Sequence, residues 1–127
     1  MENNDMHTIL VIDDDPVIME IISELLSDQY LIVKAKNADD GLKIIREVSL
    51  DLIITDHQMP GYLTGLTLAK TLCLENNPVP IIMISGANVQ TAAYSWGVKE
   101  YLVKPFDLDQ IKVVVDTYLQ PKLRLLA

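Results

Sequence analysis

Four places in this 127-residue chain could carry chemistry, and each closes an apolar run. Thr8-Ile-Leu-Val-Ile12 ends in three acids, Asp13, Asp14 and Asp15. Leu52-Ile-Ile54 leads to Asp56, Val79 to Ile84 leads to Ser85, and Glu100 to Val103 leads to Lys104. Carboxylates gathered in one place repel and cannot all ionise cheaply at neutral pH without a counter-charge. A hard divalent cation with oxygen ligands meets that need. Mg2+ suits the count, because it takes one or two carboxylates, keeps waters and accepts phosphate oxygen. A hydroxyl donor at Ser85 and a fixed positive charge at Lys104 would complete a site for a phosphoryl group on a carboxylate. Carboxylate nucleophiles do form such aspartyl phosphates. Taken singly, each residue has a plainer role. Asp56 forms a turn, Asp14 or Asp15 and Ser85 cap helices, and Lys104 is a solvated charge. The chemistry therefore depends on whether the fold brings them together.

The elements follow from pattern. Thr8 to Ile12 is an apolar run without alternation, as in a strand covered on both faces. Pro16 suits the first turn of a helix that carries Val17, Ile18, Ile21, Ile22, Leu25 and Leu26 on one stripe, with Glu20 and Glu24 opposite. Tyr30 to Val33 is a second strand. Asn37 caps a second helix, with Asp40 three residues on and Leu42, Ile45 and Val48 facing inward; Gly41 weakens it slightly. Leu52 to Ile54 is the third strand, closed by Pro60-Gly61. A loop from Met59 to Thr64 leads into a helix with Leu66, Leu68, Ala69 and Leu72. Val79 to Ile84 is the fourth strand, and Asn88 to Trp96 a short helix stopped by Gly97. Glu100 to Val103 is the fifth strand. Asp107 caps the last helix with Gln110 as reciprocal partner, and Leu108, Ile111, Val114, Val115 and Tyr118 line it. Pro121 limits that helix. No repeat, linker or low-complexity segment interrupts the order, which predicts one domain over 1–127, with a core at about 8–119 and a tail at 120–127.

Strict strand–helix alternation implies a parallel α/β sheet with helices on both faces. Five strands predict the flavodoxin-like order 2-1-3-4-5. In that order the winding reverses between strands 1 and 3, and ligands bind at the carboxyl ends there. Asp13 and Asp14 end strand 1, and Asp56 ends strand 3. Topology and acid positions thus point to one crevice.

Val11-Ile-Asp-Asp-Asp-Pro16, Asp51-Leu-Ile-Ile-Thr-Asp-His-Gln-Met-Pro60, Ile84-Ser-Gly-Ala87 and Tyr101-Leu-Val-Lys-Pro-Phe106 together resemble the response-regulator receiver domain of two-component signalling. The likeness runs from about Thr8 to Leu119. It implies that Asp56 accepts phosphate from a sensor histidine kinase or a histidine phosphotransfer protein, and that Asp14 and Asp56 ligate Mg2+. It further implies that Asp13 acts through water, with the main-chain carbonyl of Gln58 as another ligand. Ser85 and Lys104 would bind phosphoryl oxygens, and Tyr101 would be an aromatic switch turning inward as Ser85 moves. Such a protein is a switch, not a conventional enzyme. Two departures stand out. Four residues, Gly61-Tyr-Leu-Thr64, separate Pro60 from Gly65, one more than the pattern expects. Ser85 to Lys104 spans 19 positions, short by ~3 residues or nearly one helical turn. Helix 4 is therefore shortened, in a region where the family usually reports phosphorylation through helix 4, strand 5 and helix 5.

Composition bounds the alternatives. Net charge is −8, which opposes direct nucleic-acid binding, since phosphate backbones demand a basic face. Cys73 is the only cysteine, excluding an intrachain disulfide and a Cys-based zinc site. The start, Met1 to Thr8, lacks the features of a signal peptide, and no apolar run spans a bilayer, so a cytoplasmic location is expected. His57 is adjacent to Asp56 and points oppositely along a strand, where it modulates access to the site or phosphoryl lifetime, or is inert. Asp13-Asp-Asp15 also fits the start of haloacid-dehalogenase-like phosphatases, with Asp13 as nucleophile and Asp15 as acid; an acidic pair after Lys104 and room for a cap domain are missing. A non-phosphorylated interaction module is opposed by the intact acid set. An FMN-binding flavodoxin is opposed by acids where the flavin phosphate would sit.

Overall fold

The computed structural model describes residues 6–119. Pro121, the tail expected over 120–127 and the first five residues of the polar lead lie outside them. Within them the elements alternate as β1 Thr8–Ile12, α1 Pro16–Leu26, β2 Leu31–Ala35, α2 Ala38–Glu47, β3 Leu52–Asp56, α3 Gly65–Leu74, β4 Ile81–Ser85, α4 Gln90–Ser95, β5 Glu100–Val103 and α5 Leu108–Leu119. All strand pairs are parallel, in the order β2-β1-β3-β4-β5.

Alternation along each strand splits the core into two layers. Ile9 and Val11, Leu52 and Ile54, and Ile82 and Ile84 pack under α1 and α5, against Met19, Ile22, Leu26, Ile111 and Val115. Leu10 and Ile12, Ile53, and Ile81 and Met83 face α2, α3 and α4, against Leu68, Ala69, Leu72 and Ala93. Every residue of β3 and β4 is buried, which is why these strands read as unbroken apolar runs. β2 and β5 form the edges, where Leu31 and Val103 are exposed.

Several sequence expectations shift. The core stripe of α1 is Met19, Ile22, Ser23 and Leu26, while Val17 and Ile21 are exposed. The helix is rotated so that the small Ser23, rather than Ile21, joins the buried stripe. β2 begins at Leu31 rather than Tyr30. The Tyr30 ring is buried in the core, and its hydroxyl donates to Asp116 Oδ1 of α5 at 2.7 Å. Val48 does not face inward: it is the exposed C-cap of α2, beyond the last helical turn. β4 begins at Ile81, two residues later than expected, since proline at 80 has no N–H for a ladder. On α5, Leu108 and Tyr118 are exposed, and only Ile111 and Val115 are fully buried.

Capping follows the sequence closely. Asp15 Oδ1 accepts from Val17 N–H with Pro16 in the first turn, and Asn37 accepts from Asp40 N–H. Asp107 accepts from Asp109 N–H, while Gln110 accepts from Asp107 N–H. α4 has six residues and no side-chain cap, and Gly97 at φ +92° ends it. It is shortened as the spacing requires, and it starts later than Asn88.

Two glycines sit at close approaches, one against a side chain and one against backbone. A Cβ on Gly41 would lie 2.5 Å from Ile12 Cδ1, so this position lets α2 approach β1. A Cβ on Gly65 would overlap the Asp56 carbonyl oxygen and lie 2.9 Å from His57 Cα. Backbone cannot rotate away as a side chain can. Gly65→Ala is therefore expected to lower stability by about 2 kcal/mol. At Gly86 the nearest atom to an added Cβ is 3.9 Å away, so Gly86→Ala should fall within about 0.5 kcal/mol of the parent. Urea denaturation of both variants measures the difference.

Candidate functional site

Register positions the site. Ile12 of β1 pairs with Thr55 of β3, so the residues that follow them, Asp13 and Asp56, emerge side by side. Asp56 pairs with Ile84, and Ser85 follows; Ser85 pairs with Val103, and Lys104 follows. The ladder continues past the strand ends: Asp13 N–H donates to Ala35 carbonyl at 3.1 Å, and Lys104 N–H to Ser85 carbonyl at 3.0 Å. Backbone pairing thus holds the chemical residues from both sides.

The carboxylates of Asp13, Asp14 and Asp56 each offer an oxygen within 4.8 Å of the others. Asp13 and Asp56 are buried and Asp14 is exposed at the mouth. Lys104 Nζ lies 2.9 Å from Asp56 Oδ2 and 3.9 Å from Asp13 Oδ2. Asp56 Oδ1 accepts from Gln58 N–H at 3.2 Å, and Asp13 Oδ1 from Asp15 N–H at 2.9 Å. Burial pushes the Asp13 carboxyl above its ordinary range; the Asp15 amide and Lys104 pull it down, and Asp56 and Asp14 push it up again. Burial alone would lower the Lys104 ammonium, but its hydrogen bond and attraction to Asp56, then Asp13 and Asp14, leave it raised. Lys104 is thus a firm cation. Counted formally, three carboxylates against one ammonium leave two negative charges in excess. Oxygen-only donors, partial burial and that surplus fit a hard divalent cation such as Mg2+.

Ser85 is fully buried, and its Oγ accepts from Ala87 N–H at 2.9 Å, which leaves its own O–H free to donate. The Tyr101 ring is buried, and its hydroxyl donates to the Ala87 carbonyl. Ala87 therefore joins Ser85 to Tyr101. The Lys104–Pro105 peptide is cis.

The sequence reading brought together Asp13, Asp14, Asp56, Ser85 and Lys104; the structure gathers the three acids with Lys104, and ladder register sets Ser85 at the adjoining strand end. Gln58 lies beside Asp56 through its amide. Asp15 is engaged as the α1 cap, apart from the three-acid cluster. Reading residues alone missed Gly65, Ala87 and the part played by His57. His57 Nδ1 accepts from Leu66 N–H at 3.2 Å, so the ring caps α3. A glycine straight after a Thr cap was a visible sign of close packing at Gly65. Ala87 contributes only backbone and leaves no trace in residue type. The exposed thiol of Cys73 and Lys70 over the Trp96 ring at 5.2 Å lie elsewhere, on α3 and beside α4.

The model of the response regulator receiver domain matches residues 9–116. This chain belongs to that family. Similar curated proteins include the nitrogen assimilation regulatory protein NtrX of Azorhizobium caulinodans, 34% identical over 90% of this chain and 26% of the relative. The transcriptional regulatory protein MalR of Bacillus subtilis is 32% identical over 89% of this chain and 50% of its own length. The receiver thus spans half or less of either relative. Among solved structures, response regulator TrrA of Thermotoga maritima in complex with Mg2+-BeF is 34% identical with a TM-score of 0.80. That match covers 90% of this receiver and all of TrrA.

The electrostatics of the receiver site give a signed expectation. The folded-state pKa of Asp13 lies above its unfolded value of 3.8, so between those values the folded protein holds more protons. Stability then falls as pH rises through that window. Asp13→Asn should raise the urea midpoint at pH 7 in metal-free buffer, and the gap from the parent should close as pH falls toward 3.8. Denaturation curves across that range check the sign.

Proposed function

We propose that this receiver is a phosphorylation-dependent switch whose acceptor is Asp56, and that it forms one domain throughout the chain. What supports the reading is the convergence of Asp13, Asp14 and Asp56 with Lys104, whose Nζ lies 2.9 Å from the Asp56 carboxylate. The donor is a phosphohistidine on a sensor histidine kinase or a phosphotransfer protein. A carboxylate oxygen of Asp56 attacks phosphorus and the P–N bond breaks. The electron pair leaves on the imidazole nitrogen, which takes up a proton, and an acyl phosphate remains. Asp13, Asp14 and Asp56, with the main-chain carbonyl of Gln58, would hold Mg2+, which when bound supplies positive charge for the phosphoryl oxygens; Asp13 would act through water.

Lys104 starts paired to the acceptor and is the cation nearest to the phosphoryl oxygens that form there. Ser85 has an O–H free to donate to one of them. Because Ala87 bonds to both Ser85 and Tyr101, any shift of Ser85 toward the phosphoryl group is felt by the Tyr101 ring. Tyr101 is then the switch residue, a local charge event coupled to a packed side chain. The receiver accepts and slowly loses its own phosphoryl group and turns over no metabolite. Among the described residues no helix is long and apolar enough to cross a membrane. A cytoplasmic setting fits the lone thiol, and the charge of −8 disfavours direct nucleic-acid contact.

Incubation with Mg2+ and phosphoramidate tests the assignment. Intact mass should show one hydroxylamine-sensitive phosphoryl adduct, which Asp56→Asn abolishes. An adduct on Asp13 that survives Asp56→Asn would overturn it in favour of a phosphatase-like nucleophile.

A further inference from the structure

An α-helix leaves its first amides without partners inside the helix. In α3 the first amide with an intrahelical acceptor is that of Leu68, which donates to the Thr64 carbonyl at 2.9 Å. The three before it are satisfied otherwise. Thr67 N–H donates to Thr64 Oγ1 at 3.1 Å. Gly65 N–H donates to the His57 carbonyl at 2.9 Å, and Leu66 N–H to His57 Nδ1 at 3.2 Å. A single residue just past β3 therefore accepts two of the three, one with backbone and one with side chain.

That residue stands between Asp56 and Gln58, whose N–H donates to Asp56 Oδ1 at 3.2 Å. Gly65, the first residue of α3, already packs so tightly on the Asp56 carbonyl that a Cβ would overlap it. The helix start, His57 and the Asp56–Gln58 turn thus form one rigid corner. His57 Nδ1 is engaged by the Leu66 amide and His57 is not among the clustered acids, so the imidazole acts through α3 rather than within the acid site. An ordinary helix cap supplies stability wherever it sits. This one is fastened to the backbone that aims the acceptor.

We propose that His57 is a positioning residue. By clamping the first turn of α3 it fixes the Asp56–Gln58 turn, and so the direction of the Asp56 carboxylate and of the Gln58 carbonyl. This rests on Asp56 as phosphoacceptor. Nδ1 as acceptor requires the neutral Nε2–H tautomer of the ring.

The test compares His57→Ala, which removes the ring acceptor, with His57→Asn, whose Oδ1 is as many bonds from Cα as Nδ1. Phosphorylation by phosphoramidate is followed by intact mass over a Mg2+ titration. His57→Ala should slow the reaction about tenfold and raise the Mg2+ needed for half-maximal rate, while His57→Asn recovers the rate to within about threefold of the parent. A folded His57→Ala with lowered melting temperature but parental rate and Mg2+ dependence would reduce His57 to a stabilising cap and overturn the proposal. A folded His57→Asn that fails to recover the rate would overturn it too. If His57→Ala does not fold, 15N NMR of the parent decides: a bare Nδ1 with an exchange-protected Leu66 amide is expected, and a protonated Nδ1 contradicts the clamp. A parent that takes up no phosphoryl group while showing this ring signature would instead contradict the acceptor assignment, and this role with it.

Discussion

The organising constraint is the confinement of three carboxylates and one ammonium at the open ends of parallel strands. Asp13 and Asp56 are held there by ladder register, and neither can retreat into water without breaking pairing in β1 or β3. Breaking a buried ion pair by removing one partner costs about 3–5 kcal/mol, because a charge is left without compensation. Lys104 prevents that for Asp56 and reaches Asp13 less closely. It does not neutralise the cluster. The surplus negative charge that persists is what suits the site to a divalent cation, whose charge would offset the repulsion between these carboxylates and an anionic phosphoryl donor. Stability and function oppose each other here, as is usual where like charges are gathered for chemistry.

The surrounding structure serves to hold this arrangement. Two apolar layers grip the sheet, and caps at Asp15, Asn37, Thr64 and Asp107 fix where four of the helices begin. Gly41 and Gly65 let α2 and α3 approach the strand ends closely enough to wall the crevice. On the far side of the site, Ser85, Ala87 and Tyr101 run as a hydrogen-bonded line toward the shortened α4. α4 has one short turn-and-a-half and no capping side chain, so little of its own makes it rigid. It leans on Ala93 and the partly buried Trp96, which Lys70 covers.

Much of this was legible in the sequence, and the reasons differ by residue. The unbroken apolar runs of β1, β3 and β4 declared a doubly covered parallel sheet, and strand order then followed from topology alone. That brought Asp13, Asp14, Asp56, Ser85 and Lys104 together with no knowledge of distances. The 19-position interval from Ser85 to Lys104 correctly required a short α4. What failed was rotation and detail. Val17 and Ile21 have the right residue types for a core stripe, but the helix turns Met19 and Ser23 inward instead. Periodicity reports that a helix has an apolar side; it does not report which neighbour will fill the hollow opposite. Contacts made by backbone, such as Ala87 to Tyr101 or His57 to Gly65, carry no residue-type signal at all. His57 looked either chemical or inert, and its capping of α3 appears only in three dimensions.

If Asp13, Asp14 and Asp56 form one acceptor site, the folded protein gains a divalent cation there. The most direct measurement is the urea midpoint of the parent and of Asp56→Asn with and without Mg2+, at fixed ionic strength. A ligand that binds only the folded chain at one hundred times its dissociation constant adds about 2.7 kcal/mol. The parent should gain stability with Mg2+ along such a saturating curve, and Asp56→Asn should gain clearly less. An unchanged parent midpoint, or an equal gain in both proteins, would contradict the claim that these carboxylates form one cation-binding acceptor site.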